Sequence, residues 1–223
     1  MAKALDLDEQ EQLDQIKHFW RTWGNLISWI LIAVLGSYAA WNGYQYWERS
    51  QAAKAAALFD EVERAVGSGD LVRVERSLAD MKDKFGRTQF AQQSALLAAK
   101  TLQAQGKVDA ARDALGWVVN GASDTGYRDI ARLRLAALQL DTKAYDEALK
   151  LLGSDFTPEM SGLAADLRGD VLQAKGQSAE AVSAYQQAWK KLADTPDYRL
   201  LVKAKLNALG IDPDAATVSE TPK

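Results

Sequence analysis

Two patterns of apolar residues follow one another along the chain, the first continuous and the second periodic. Between Arg21 and Glu48 lie 26 residues without a formal charge. As helix, at about 1.5 Å per residue, they would extend about 39 Å, more than the ~30 Å hydrocarbon core of a bilayer. From Leu26 to Trp41 only Ser28 and Ser37 interrupt the apolar run. Aromatic residues gather at its ends, Trp20 and Trp23 on one side and Trp41, Tyr44, Tyr46 and Trp47 on the other, where amphipathic rings prefer the headgroup level. The segment predicts one transmembrane helix at 22–47 in contact with the lipid bilayer. A buried core helix seldom runs so long without a charge. A cleavable signal peptide would need a basic start, whereas residues 1–21 hold three basic and five acidic side chains.

From Glu48 onward, apolar residues recur at three- and four-residue intervals, which is a helical period. No alternating strand pattern rich in Val, Ile or Thr is visible. The segments Gly69-Asp70-Leu71-Val72-Arg73-Val74, Gly106-Lys107-Val108-Asp109-Ala110-Ala111, Lys143-Ala144-Tyr145-Asp146-Glu147-Ala148 and Gly176-Gln177-Ser178-Ala179-Glu180-Ala181 align as one motif. Their last members are spaced 37, 37 and 33 residues, a period that signals stacked helical hairpins. The first position of each motif ends one helix, and the small residue five positions later lets the next helix pack closely. Leu78, Leu115, Leu152 and Tyr185 follow four residues after that, on the same helical face. Gly169 supplies a small residue seven positions before the last turn, as a tetratricopeptide repeat does.

The prediction is an all-α chain: a short acidic segment (1–21), a single transmembrane helix (22–47), and a tetratricopeptide-like solenoid of about four hairpins plus a capping helix (48–209). Residues 210–223 are read as a disordered tail. A simple helical bundle is the alternative architecture. The anchor is expected to run on as helix through 52–66 and form the first helix of the first hairpin. The cap, Tyr198 to Leu209, is expected to bury Leu200, Leu201, Ala204 and Leu209, with Lys203 and Lys205 elsewhere.

Composition narrows the chemistry. Twenty-seven basic and 30 acidic residues give a net charge of -3 and no basic field for nucleic acid. The absence of Cys removes disulfides, zinc-thiolate and iron-sulfur sites and thiol catalysis. The single His18 precedes the uncharged run, without a second His for a metal and without a nucleophile elbow. Gly67-Ser68-Gly69 reads as an interhelical turn, because no Lys-Ser/Thr follows it as in a phosphate-binding loop. Asp166 and Asp170 lie four apart with Arg168 between them, and such pairs are more often solvated or ion-paired than catalytic. No cofactor, metal or enzymatic activity is expected.

Binding is a better fit, because stacked hairpins line an inner surface with their first helices. Counted from each turn, the inner positions are Phe59 and Glu63; Leu96, Lys100 and Gln103; Leu133, Ala137 and Leu140; and Asp166, Asp170 and Gln173. An apolar middle lies between mixed polar ends, and Lys100 alone offers a cation for a peptide carboxylate. An extended apolar segment is the expected ligand. In the anchor, Ala33, Gly36, Ser37, Ala40 and Gly43 form a stripe of small residues on which a second membrane helix can approach closely. Lys17 and Arg21 at one end balance Arg49 and Lys54 at the other, so the flanking charges do not orient the helix.

The chain resembles the ancillary subunits of the SecYEG translocon. The likeness lies in Glu9-Gln10-Glu11-Gln12-Leu13-Asp14-Gln15-Ile16-Lys17-His18-Phe19-Trp20 before the anchor, Tyr44-Gln45-Tyr46-Trp47 after it, Ala165-Asp166-Leu167-Arg168-Gly169-Asp170 in the last repeat and Leu201-Val202-Lys203-Ala204-Lys205-Leu206-Asn207 in the cap. The resemblance implies a bacterial inner-membrane protein with a cytoplasmic N-terminus and a periplasmic repeat domain. It also implies association with SecYEG and with periplasmic chaperones, including a membrane-anchored prolyl-isomerase-like partner, and it brings no catalytic residues. Self-association remains open, and an envelope-assembly or cell-division scaffold with a fixed protein partner is the alternative function.

Overall fold

The computed structural model describes residues 7–215. The start of the acidic N-terminal segment, residues 1–6, and residues 216–223 of the expected disordered tail lie outside them. Every described element is an α-helix: α1 (Leu7–Ser68), α2 (Leu71–Phe85), α3 (Gln89–Ala104), α4 (Val108–Gly121), α5 (Thr125–Asp141), α6 (Tyr145–Leu152), α7 (Pro158–Ala174), α8 (Ser178–Lys191) and α9 (Pro196–Ala208). The chain divides between Gln51 and Ala52 into two compact units.

In the first unit, α1 is the one described helix long and apolar enough to cross a membrane. Its large side chains, Trp20, Trp23, Trp29, Ile30, Leu35, Trp41 and Trp47 among them, are exposed along the helix, as lipid contact requires. Gly24 is the exception to this open surface, covered by the Trp20 indole. Ser37 donates its hydroxyl to the Ala33 carbonyl at 2.7 Å and Asn42 its side-chain amide to the Tyr38 carbonyl at 2.8 Å. These two polar side chains are thus satisfied by their own helix, the only partner a lone span in lipid supplies.

The second unit pairs helices into hairpins: the end of α1 with α2, α3 with α4, α5 with α6 and α7 with α8. Each hairpin turns through a residue with positive φ, namely Gly69 (69°), Gly106 (74°), Lys143 (62°) and Gly176 (83°). At each turn the chain makes the paired hydrogen bonds of a Schellman motif, for example Gly106 N–H to the Gln103 carbonyl at 3.0 Å and Lys107 N–H to the Leu102 carbonyl at 2.8 Å. Glycine adopts this left-handed conformation freely, and Lys143 takes it at a steric cost. The small positions that follow, Val74, Ala111, Ala148 and Ala181, are all fully buried, and Leu78, Leu115, Leu152 and Tyr185 pack beside them. Asp70, Thr88 and Asp124 cap the starts of α2, α3 and α5 with side-chain oxygens, while Pro158 and Pro196 open α7 and α9.

A fifth left-handed turn, Gly210 (φ 78°), closes α9 with the same bond pair, Gly210 N–H to the Asn207 carbonyl and Ile211 N–H to the Leu206 carbonyl. It falls 34 residues after Gly176, within the repeat period. Thus α9 stands where the first helix of a fifth hairpin would. Its first residues after the turn are ordered by packing: Ile211 sits against the core of the last repeat, Pro213 is buried and Asp214 pairs with Lys203. The tail expected from residue 210 onward therefore needs correction at 210–215. The face of α9 also differs from expectation. Val202 and Leu206 are buried, while Leu200 and Leu201 are 65% and 49% exposed.

Candidate protein-binding surface

First helices of successive hairpins meet along the stack, α3 with α5 and α5 with α7, while the second helices α2 and α4 touch through side chains, the Lys82 ammonium lying 5.4 Å from the Trp117 ring centre. The first helices form the inner layer. Of the residues assigned to it by spacing, Glu63, Lys100 and Gln173 are exposed, and Phe59, Gln103, Leu133, Ala137, Leu140 and Asp170 are half-buried. Phe59 stacks on Phe90 with ring centroids 5.8 Å apart. Leu133 and Leu140 pack partly against the core made by Ala136, Ala148, Leu152, Ala164 and Val171.

Two assignments are corrected by burial. Leu96 is 7% exposed and belongs to the core with Leu102, Leu115 and Leu135. Asp166 is 2% exposed and offers nothing to an external ligand. A buried carboxylate needs compensation, and α9 delivers it. The Lys205 ammonium lies 2.9 Å from both oxygens of Asp166 and 2.7 Å from Asp170 Oδ1. Tyr198 donates its hydroxyl to Asp166 at 2.8 Å, and Tyr185 donates to Asp170 at 2.8 Å. Burial, followed by the hydrogen bonds to these carboxylates, pushes both tyrosine hydroxyls well above their ordinary value. The two aspartates are thus an ion-paired clasp between α7 and α9, with both charges committed to Lys205.

Polar clasps also cross the middle of the inner layer, which spacing reads as apolar. Gln93 of α3 donates to the Tyr127 hydroxyl of α5, Gln103 to Asp141 at 3.3 Å, and Arg134 to the Leu96 carbonyl at 3.1 Å. Each bridges residues 34 to 38 apart, one repeat period, a regularity that sequence could have revealed had polar positions been aligned with the apolar ones. On the other side of the third hairpin, buried Asp129 accepts the Thr157 N–H at 2.8 Å and pairs with Arg132, whose guanidinium also donates to the Asp155 carbonyl. That pins the loop between α6 and α7. What remains open on the inner layer is Lys100, Gln103, Leu133, Ala137 and Leu140, a half-apolar strip with one cation at its edge.

The small-residue stripe of α1 is open. Ala33, Gly36, Ser37, Ala40 and Gly43 are exposed, and a Cβ placed on Gly36 or Gly43 meets nothing within 4 Å.

A family model described as a tetratricopeptide repeat-like domain matches residues 17–211. The chain is 32% identical over 208 residues to a protein of Neisseria gonorrhoeae (strain ATCC 700825 / FA 1090) named "Ancillary SecYEG translocon subunit", covering 92% of this chain and 99% of that protein. Proteins of the same name match it from Escherichia coli (strain K12), at 28% identity over 92% of this chain and 98% of the relative, and from Haemophilus influenzae (strain ATCC 51907 / DSM 11121 / KW20 / Rd), at 25% identity over 92% and 100%. No solved structure matches the chain significantly. Because these matches run through both the apolar helix and the whole repeat stack, the chain belongs to the ancillary SecYEG translocon subunit family, with a tetratricopeptide-like repeat domain.

Proposed function

We propose that this protein is a non-enzymatic, single-pass inner-membrane adaptor at the protein-export translocon. In this reading the N-terminus is cytoplasmic and the repeat domain periplasmic. The stripe Ala33, Gly36, Ser37, Ala40 and Gly43 docks α1 on a membrane helix of SecYEG, and the inner layer of the repeats holds a partner or an emerging client for transfer to periplasmic chaperones, a membrane-anchored prolyl-isomerase-like protein among them. The observation that carries the proposal is the near full-length likeness to proteins named as ancillary SecYEG translocon subunits, which includes the apolar helix as well as the repeats. The open strip supports it physically. Leu133, Ala137 and Leu140 present partly covered apolar surface, suited to the side chains of an extended polypeptide, and the Lys100 ammonium meets a backbone carbonyl or acidic side chain of that segment.

Affinity purification of the full-length protein in mild detergent tests the membrane half of the proposal: SecY, SecE or SecG should be recovered with it. Recovery of division or envelope-assembly proteins without any translocon subunit would replace it with a fixed structural scaffold. Photocrosslinkers at Ala137 and Leu140 test the other half. Adducts there, and none from the outward-facing Glu75 of α2, are expected in cells exporting protein; adducts confined to Glu75 would reject the inner layer as the binding surface.

A further inference from the structure

Stacked repeats are held by their nearest neighbours, and among the described helices α9 packs on the α7–α8 hairpin alone. It stands where the first helix of a further hairpin would, and the chain turns at Gly210 as it does after each earlier first helix. The stripe that α9 turns toward the last hairpin is Tyr198, Arg199, Val202, Lys205, Leu206 and Leu209. Half of it is polar. Val202 and Leu206 are fully buried, and Leu209 and Ile211 pack partly against the same core; the polar part of the attachment is Lys205 between Asp166 and Asp170, Tyr198 on Asp166, and the Arg199 guanidinium 3.6 Å above the Trp189 ring centre. Polar bonds also cross between α3 and α5, but among the described residues the joint of α9 is the one where a lysine holds a carboxylate as buried as Asp166.

We propose that α9 is a latch-held lid: it swings off the end of the stack as a unit while all four hairpins stay folded, and the Asp166–Lys205–Asp170 clasp sets how often it opens. Opening lays bare the carboxylate pair and the apolar face formed by Ala165, Leu172, Ala184 and Tyr185, so the repeat domain alternates between a capped and an uncapped end. The hinge is residues 193–195, the exposed link between Leu192 and Pro196. This goes beyond the adaptor reading and holds whatever partner the inner layer takes.

The chain has no cysteine, so a single introduced thiol reports local opening by its rate of modification. Leu206→Cys places that thiol under the lid, and Leu102→Cys places one in the central core, both fully or almost fully buried now. In the full-length protein in detergent, the Leu206→Cys thiol should be modified much faster than the Leu102→Cys thiol. Adding Lys205→Met strands a buried carboxylate and should raise the Leu206→Cys rate by roughly a hundredfold or more, leaving the Leu102→Cys rate unchanged. Equal rates at the two sites, or a Leu206→Cys rate indifferent to Lys205→Met, would overturn the proposal. Should Lys205→Met speed both thiols by disrupting the whole stack, Tyr198→Phe decides. Loss of its one hydrogen bond should speed the Leu206→Cys thiol alone by about tenfold, and a matched rise at both sites, or none at either, refutes the lid.

Discussion

Replacing Gly169 by Ala should destabilise the last repeat even though Ala is the better helix former. A Cβ on Gly169 would lie 2.3 Å from Tyr185 Cε1 and 2.4 Å from Cδ1, against ordinary contacts of 3.4 Å or more, so the ring must move by about 1 Å. Tyr185 cannot yield cheaply. It is 3% exposed, and its hydroxyl is fixed on Asp170. Displacing the ring breaks a hydrogen bond to a charged acceptor, about 1.5–3 kcal/mol, and adds overpacking strain of about 1–3 kcal/mol. The Gly-to-Ala propensity gain returns about 1 kcal/mol. The expected net loss is about 1.5–5 kcal/mol, a large fraction of the ~5–15 kcal/mol that holds an ordinary domain. Urea titration of the full-length protein in detergent, followed by far-UV ellipticity, would show a lowered midpoint, with the membrane helix contributing a constant background. The partner substitution Tyr185→Leu should cancel the effect, so that Gly169→Ala costs nothing further in that background. A Gly169→Ala protein as stable as the parent would refute the argument, because it would mean that the ring is free to step aside.

Three further outcomes follow from other joints. Asp129→Ala removes the acceptor of the Thr157 N–H and the partner of Arg132, and should lower the same urea midpoint by an amount equivalent to about 1–3 kcal/mol, with faster proteolysis at the loop 153–157. Both Tyr185 and Tyr198 have hydroxyl pKa values raised by burial and by the adjacent carboxylates. Folding therefore favours their neutral form; that contribution is complete below the ordinary tyrosine value near 10 and is lost as pH rises above it. Thermal melts should accordingly fall between neutral pH and about pH 11, and the Tyr185→Phe, Tyr198→Phe double variant should fall less steeply; equal slopes would be the contrary result. In the membrane, Gly36→Leu with Gly43→Leu should cut recovery of translocon subunits roughly tenfold, since model helix pairs gain about 1–2 kcal/mol from close approach, while Leu35→Ala on the lipid-exposed side should leave recovery unchanged.

The repeat frame was legible because backbone geometry demanded particular residues at fixed positions. A left-handed turn favours Gly, the following helix needs a small side chain to close on its neighbour, and both demands recur at 69 and 74, 106 and 111, 176 and 181. Lys143 could still be placed, because Ala148 and Leu152 keep the rest of the frame. The same grammar continues to Gly210 and Ala215, but two Pro and several small polar residues after Gly210 make that stretch read as tail. The binding surface was less legible because exposure on a first helix is decided by what crosses it from a full repeat away. Leu96 and Lys100 share a helical face by spacing, yet one is core and the other open, because Arg134 and α5 close over the Leu96 end. Asp166 looked solvent-facing because a carboxylate ordinarily is. Its burial becomes tolerable only through Lys205, 39 residues on, and Tyr198, 32 residues on. That pairing also fixes the rotation of α9. Turning Leu200 and Leu201 inward would bury more carbon, but it would swing Lys205 and Tyr198 away and leave Asp166 uncompensated, at a cost of about 3–5 kcal/mol, against about 1.5–3 kcal/mol for burying each leucine. Val202 and Leu206 already recover most of that apolar gain in the observed rotation, so the buried charge settles the face, and periodicity alone could not have ranked the two.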